Sequence, residues 1–298
     1  MAKVRVAAAQ YPLDAFDTLA AHREKLARWT AEAAANGTQL LVFPEYGAME
    51  YASAAGPAAA ADLQASLYAV SDAMPEMDRV HAELAQAHKL HILAASGPRR
   101  NGERFVNTAC LFAPSGKAGA QDKLMMTPFE RTWGISGGER LQVFETTLGR
   151  IGVAICYDSE FPLLVRAQAE AGADLILVPS CTEFPSGYHR VRTGARARAL
   201  ENGCATVMSP TVGDAAWSPA VDRNTGAAGI FVPADHGFSE TGVLNEGTLN
   251  EPGWVYADVD LEGLRAVGKS GEMRNSLDWS AQPGATALAQ LVEIVSLL

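Results

Sequence analysis

Cysteine is scarce in this chain: four residues in 298, at positions 110, 156, 181 and 204. They show neither CxxC nor Cys/His ligand spacing, which argues against a disulfide framework and against a zinc site. Basic residues number 24 against 34 acidic ones, so the formal net charge is −10. That balance speaks against nucleic acid or an anionic membrane surface as the main partner. Long apolar runs are missing as well, since no stretch approaches the roughly 18 residues that cross a bilayer. The apolar run in Met1–Gln10 is too short for a secretory signal and alternates like a first strand. Reduced thiols without a leader imply the cytoplasm. No Pro/Ser-rich linker or charge run divides the sequence, so residues 1–298 read as one domain.

What is present gathers around Gly149–Pro162. The β-branched run Ile151, Val153, Ile155 leads straight into Cys156, then a turn-prone Tyr157-Asp158-Ser159. Phe161-Pro162 opens a helix over Leu163–Ala171, proline being suited to the first helical turn. The cysteine therefore stands at a strand-to-helix turn, where a nucleophile gains both access to substrate and nearby backbone N–H donors. A buried, inert thiol is the alternative for such a residue.

Strand–helix–strand periodicity fills the first 45 residues: strand Val4–Gln10, helix Thr18–Ala35, strand Gln39–Phe43. Such a unit implies parallel pairing. Ala48–Ala61 reads as a loop over the site, and Leu63–Leu90 as helix interrupted near Met74-Pro75. Hairpin strands follow to Phe112, and Lys123–Glu130 reads as irregular. Leu141–Glu145 and Gly149–Ile155 form a pair, Tyr188–Asn202 a helix, and Ala285–Leu298 a terminal amphipathic helix. One echo stands out: Gly37-Thr-Gln-Leu-Leu-Val-Phe-Pro44-Glu45 aligns without gaps on Gly172-Ala-Asp-Leu-Ile-Leu-Val-Pro179-Ser180. Two similar halves suit two sheets packed face to face with helices outside.

A thiol attacking a carbonyl needs its proton removed, the developing oxyanion stabilised and the leaving group protonated. None of the six histidines (22, 81, 88, 91, 189, 236) falls at a strand end where such a site would gather. Glu45 does, at the end of the first strand–helix–strand unit. Half-buried, it needs a partner; burial raises its pKa and a lysine lowers it again. Lys123 is the candidate partner, and its ammonium would favour a thiolate. Glu130, just beyond Phe129, could hold Lys123 or the substrate.

Phe43-Pro44-Glu45, Lys123-Leu followed by Glu130, and Ile155-Cys156-Tyr157-Asp158-x-x-Phe161-Pro162 together resemble the nitrilase superfamily of carbon–nitrogen hydrolases. The resemblance runs on through Gly172–Ser180, Arg196-Ala-Arg-Ala-Leu-Glu201-Asn202, Pro233 and Val259-Asp260-Leu261. It implies a four-layer αββα sandwich, two mixed sheets with helices on the outer faces. It also implies a homodimer or larger homo-oligomer, with the tail from about 261 to 298 packing on a neighbouring subunit. Carried over, Glu45 is the general base, Cys156 the nucleophile, and Lys123 with the backbone N–H of Tyr157 the oxyanion site. Glu130 matches the second glutamate, and Tyr46, Trp133 and Thr182 are further candidates for contact with substrate. No metal or organic cofactor is implied.

Two departures bear on the substrate. Cys181-Thr182-Glu183 is smaller and more polar than the aromatic-bearing segment many members have there. Ser159-Glu160 stands where carbamoylases and ω-amidases offer an arginine to a substrate carboxylate, although Arg190 or Arg192 could substitute unless they pair with Glu201 or solvent. A small neutral amide is therefore the leading substrate class, with nitriles, N-carbamoyl compounds and acyl transfer to an amine as alternatives on the same residues. An inactive scaffold is the non-enzymatic alternative.

Overall fold

A computed structural model of the chain describes residues 3–282 and 292–298. Two mixed β-sheets form its centre. In the first, strand Val4–Pro12 runs parallel to Leu40–Val42, which runs parallel to His91–Leu93. Arg104–Phe112 continues the sheet antiparallel, and Gly253–Val259 closes the other side against Val4–Pro12. In the second, Gly149–Val153, Leu175–Ser180 and Ala205–Asp214 are parallel neighbours. Leu141–Thr146 and Gly229–Phe231 flank them antiparallel. A short parallel contact of Tyr11 and Pro12 with Thr211 and Val212 joins the two sheets at one edge.

Side-chain alternation divides the layers. Val6, Ala8, Leu40, Val42 and Leu93 face a core shared with the second sheet. Their neighbours Ala7, Ala9, Leu41, Phe43 and Ile92 face the helices Leu19–Ala35 and Leu63–His88, through Leu26, Leu67, Val70 and Met77. On the far side, helices Pro162–Glu170 and Pro185–Asn202 bury Val165, Val191, Ala195 and Ala199 against the second sheet. The order helix, sheet, sheet, helix follows. The repeated nine-residue segments supply a strand to each sheet, Leu40–Val42 and Leu175–Ser180.

Three readings of the sequence need correction. Leu63–His88 is one helix through Pro75, because buried Val70, Met74 and Met77 hold both halves on the first sheet and outweigh the lost N–H bond. Ala48–Ala61 is helical, as Gly47–Met49, Glu50–Ala54 and Pro57–Ala60. Glu50, fully buried, anchors that stretch: it accepts from Tyr11 Oη (2.9 Å), the Asp14 amide (2.6 Å), His22 Nε2 (2.9 Å) and Lys25 Nζ (2.6 Å). Val292–Ser296 is a strand, not the end of a helix, pairing in parallel with Leu141–Thr146 of its own chain. Its β-branched Val292, Ile294 and Val295 favour that state; residues 285–291 of the expected helix lie outside the described residues. Earlier in the tail, Ser276 and Trp279 pack on Arg166.

Candidate active site

The Gly149–Val153 strand delivers Cys156 into a five-residue 3-10 turn, Cys156–Glu160, with the cysteine at φ +68°. A non-glycine residue held in the left-handed region stores strain, and such strain gathers where a side chain must be presented. Asp158 holds the turn. Its carboxylate accepts from Ile155 N (3.2 Å) and reaches across to Leu124 N (3.1 Å) and Met125 N (2.7 Å). One buried acid thus ties the Cys156 turn to the segment that carries Lys123. Burial pushes Asp158 up to about 7, against the pull of Lys123 and those three amides. The helix Pro185–Asn202 backs the turn at Gly194, where a Cβ would stand 2.9 Å from the Ser159 carbonyl oxygen.

Glu45 follows the Leu40–Val42 strand and is 1% exposed. Its Oε1 accepts from Lys123 Nζ at 2.7 Å and Asn107 Nδ2 at 3.0 Å. Its Oε2 accepts from the Cys181 amide at 3.1 Å, so the ends of the two repeated segments meet here. The Cys156 thiol donates to the Cys181 carbonyl oxygen at 3.8 Å, and Glu45 stands close enough to raise its pKa. Lys123, 1% exposed, also donates to both oxygens of Glu130, at 2.8 and 2.7 Å. Glu130 is fixed in turn by Tyr46 Oη (2.7 Å) and by Thr127 N and Oγ1 (both 2.9 Å). Thr127 and Glu130 form a capping box for the helix Pro128–Trp133, in a segment read from sequence as irregular.

Burial raises the Glu45 carboxyl above its ordinary range, and Lys123 only partly offsets this. Burial also disfavours the Lys123 ammonium, but Glu45 and Glu130 overcome that and hold it firmly protonated. Glu130 is pushed up by burial and pulled by Lys123 to a net value below the ordinary one. The Cys156 thiol is raised by burial and then by Glu45, more than Lys123 lowers it. Lys123 does pull toward thiolate as expected, but burial and Glu45 outweigh it. One ammonium shared between two carboxylates leaves a net negative charge, so the resting sulfur keeps its proton.

A cavity of about 340 Å³ opens over these groups, lined by Glu45, Tyr46, Lys123, Glu130, Cys156 and Tyr157 at its floor. Thr182 lines it too, with its hydroxyl donating to the Thr225 carbonyl at 2.7 Å. Trp133 does not. It is 1% exposed, donates to the Leu63 carbonyl and packs behind Tyr46 and Phe129. Arg190 lines the mouth beside Glu160, whereas Arg192 pairs with Glu246; the partner of Glu201 is Arg198. None of the histidines borders this cavity. Sequence reasoning missed the parts played by Asn107, Asp158 and the Cys181 amide, each of which acts through another group; Asp158 and Cys181 lay within segments already singled out, Asn107 in none.

The family model for carbon–nitrogen hydrolases matches residues 5–269. The chain belongs to the carbon–nitrogen hydrolase family. Among curated relatives of this family member, "Probable hydrolase YhcX" of Bacillus subtilis is 41% identical over 197 residues, covering 66% of this chain and 38% of the relative. The chloroplastic omega-amidase of Arabidopsis thaliana is 28% identical over 200 residues, covering 62% and 53% respectively. The aligned region thus spans about half or less of the length of these two relatives. Solved structures agree in fold. A carbon–nitrogen hydrolase from Helicobacter pylori G27 superposes with TM-score 0.74 at 18% identity, covering 89% of this chain and 92% of its own. An amidase from Nesterenkonia sp. AN1, with acrylamide added to its active-site cysteine, gives 0.69 at 22%, covering 94% and 100%.

Proposed function

We propose that this chain hydrolyses the C–N bond of a small neutral amide through a thioester on Cys156. The convergence of Cys156, Glu45 and Lys123 on the floor of one cavity carries this reading. Glu45, lifted by burial yet ionised beside Lys123, takes the thiol proton as sulfur attacks the carbonyl carbon. The oxyanion that forms is met by the Lys123 ammonium and the Tyr157 N–H. Protonated Glu45 then hands its proton to the departing ammonia or amine, leaving the thioester. Water enters, Glu45 removes its proton, and collapse of the second tetrahedral species returns the thiol and frees a carboxylic acid. Glu130 keeps Lys123 aimed, and Tyr46 and Asn107 orient the two carboxylates. No step calls for a metal or organic cofactor. Omega-amidases and nitrilases both stand among the relatives, so nitrile hydrolysis is the alternative on the same residues. The sequence's lack of disulfide spacing supports a cytoplasmic setting, and family membership supports a homodimer or larger assembly, with residues 1–298 acting as one domain.

The test is Cys156→Ala against a panel of small amides, with intact-mass detection of the acyl-enzyme in the parent. Turnover and the adduct should both vanish while circular dichroism and the melting curve stay put. A variant as active as the parent ends the proposal.

A further inference from the structure

We infer that the Glu160–Arg190 ion pair at the cavity mouth is a charge gate, selecting substrates that carry no charge at the end remote from the scissile bond. The inference rests on the amidase reading of the site and adds its selectivity. Glu160 closes the 3-10 turn that Cys156 opens, so it stands on the same rigid piece of backbone as the nucleophile. Its side chain is 20% exposed, borders the cavity and feels the charge of Lys123. Arg190 comes from a second element, the helix Pro185–Asn202 that packs on this turn, with its guanidinium beside Gly187. Its Nε lies 3.5 Å from Glu160 Oε1, and its side chain is 61% exposed.

The pair is loose enough to exchange partners, yet its two charges cancel across the entrance. A substrate carboxylate that takes Arg190 must sit beside the Glu160 anion or displace it, and is repelled by it in either case. A substrate ammonium that takes Glu160 leaves Arg190 facing it in the same way. An uncharged substrate disturbs neither. Selection here works by what the mouth withholds, a matched pair offering no free charge. The other charged groups bordering the cavity above its floor, Glu183, Asp222 and Arg223, are exposed and screened by water.

Two variants release one charge each: Glu160→Gln frees Arg190, and Arg190→Gln frees Glu160. Butyramide, succinamate and γ-aminobutyramide share an amide and differ in the remote end, so their kcat/KM ratios read the gate. With Glu160→Gln the succinamate-to-butyramide ratio should rise about five-fold, the size of a part-exposed pair, and the γ-aminobutyramide ratio should fall. Arg190→Gln should shift both ratios the other way. A second readout needs no turnover: modification of Cys156 by methyl, sulfonatoethyl and trimethylammonioethyl methanethiosulfonates, located by peptide mass spectrometry. Sulfur attacks the thiosulfonate, a mixed disulfide forms, methanesulfinate leaves and the thiol proton passes to Glu45. The same opposite shifts between anionic and cationic reagents are expected. Ratios unmoved in both variants, or all substrates and reagents falling together, overturn the gate. Cleavage of the amides with unmoved ratios leaves the amidase reading standing without the gate. Reagent selectivity that shifts while no amide is ever cleaved overturns the amidase reading instead.

Discussion

Replacing Glu130 by Gln tests the proposed proton chemistry more sharply than removing any member of the triad. The amide keeps the size of the carboxyl group and can still bond Lys123 and Tyr46, but one negative charge is gone. Glu45 and Glu130 each accept from Lys123 Nζ within 2.8 Å. Their oxygens are therefore about 5 Å apart, and at an effective dielectric of about 20 their repulsion is on the order of 3 kcal/mol, or at most about 2 pKa units. Glu130 is one of the groups holding Glu45 up, and without it Lys123 belongs to Glu45 alone. Both effects lower Glu45. The base must be ionised to work, so activity is lost as pH falls through its raised pKa. In Glu130→Gln that acid limb of the kcat/KM profile should move about 1–2 units toward lower pH. The plateau should also drop about 30-fold, because the base is weaker and a charge-assisted bond of about 2 kcal/mol on Lys123 is lost. Thr127→Val is the control: it strips a hydroxyl from Glu130 and a helix cap worth about 1 kcal/mol, but no charge, so its limb should stay in place. An acid limb that stays fixed or moves upward in Glu130→Gln, with the protein folded, refutes the coupling between the two carboxylates.

Asn107→Leu removes a donor to Glu45 and should move the same limb up by about one unit, opposite in sign to the change at Glu130. Lys25→Met leaves the fully buried Glu50 without its cation, and chemical denaturation should register a loss of about 3–5 kcal/mol; a loss under about 1 kcal/mol contradicts the role given to that network. His81 and His91 are both lowered to about 4 by burial. Their folded pKa values lie below 6.5, so the stability they confer is complete above pH 6.5 and lost as pH falls toward 4. Each contributes at most about 3 kcal/mol, and His81→Phe should flatten the decline in urea midpoint over that range. Gly194→Val forces a side chain onto the Ser159 carbonyl and should cut kcat well beyond what its loss of about 1–3 kcal/mol in stability explains; equal loss of both would make Gly194 a packing position only.

The strand ends were the legible part of this site. Pro44-Glu45 and Cys156-Tyr157 each follow an apolar run, and such runs are visible because burial on both faces permits little else. Lys123 was found from its flanks, while the helix after it was missed although Thr127-Pro-Phe-Glu130 spells a capping box. Asn107 was not legible at all: a strand residue facing a carboxylate 62 positions away leaves no local pattern. Trp133 was misread for a related reason, since aromatic character does not say which side of Tyr46 the ring occupies. Ala48–Ala61 looked like a loop because alanine and glycine leave no apolar stripe, and its helices are pinned by Glu50 rather than by their own pattern. At Pro75 a local rule lost to tertiary packing. The tail strand depends on an edge that Leu141–Thr146 provides from 150 residues away.

A lysine sealed between two glutamates beside a thiol is costly to bury, and the proposed cycle shows why the arrangement serves better than a simple thiolate–ammonium pair. In the proposed resting state the floor holds Glu45, Glu130 and Lys123 as ions and the thiol as a neutral group, one net negative charge. As sulfur attacks, the proton reaches Glu45 while the substrate oxygen becomes negative. One anion is erased as another appears, so the net charge is unchanged. The same holds when the amine leaves with that proton and Glu45 becomes an anion again. In a pocket this buried, a change of net charge is the expensive event, and the cycle contains none. Neutralising Glu45 also loosens its 2.7 Å hold on Lys123 at the moment the oxyanion needs an ammonium. Glu130, kept ionised first by Lys123 itself and then by Tyr46 and Thr127, carries Lys123 alone. The second carboxylate is therefore what allows the first to give up its charge.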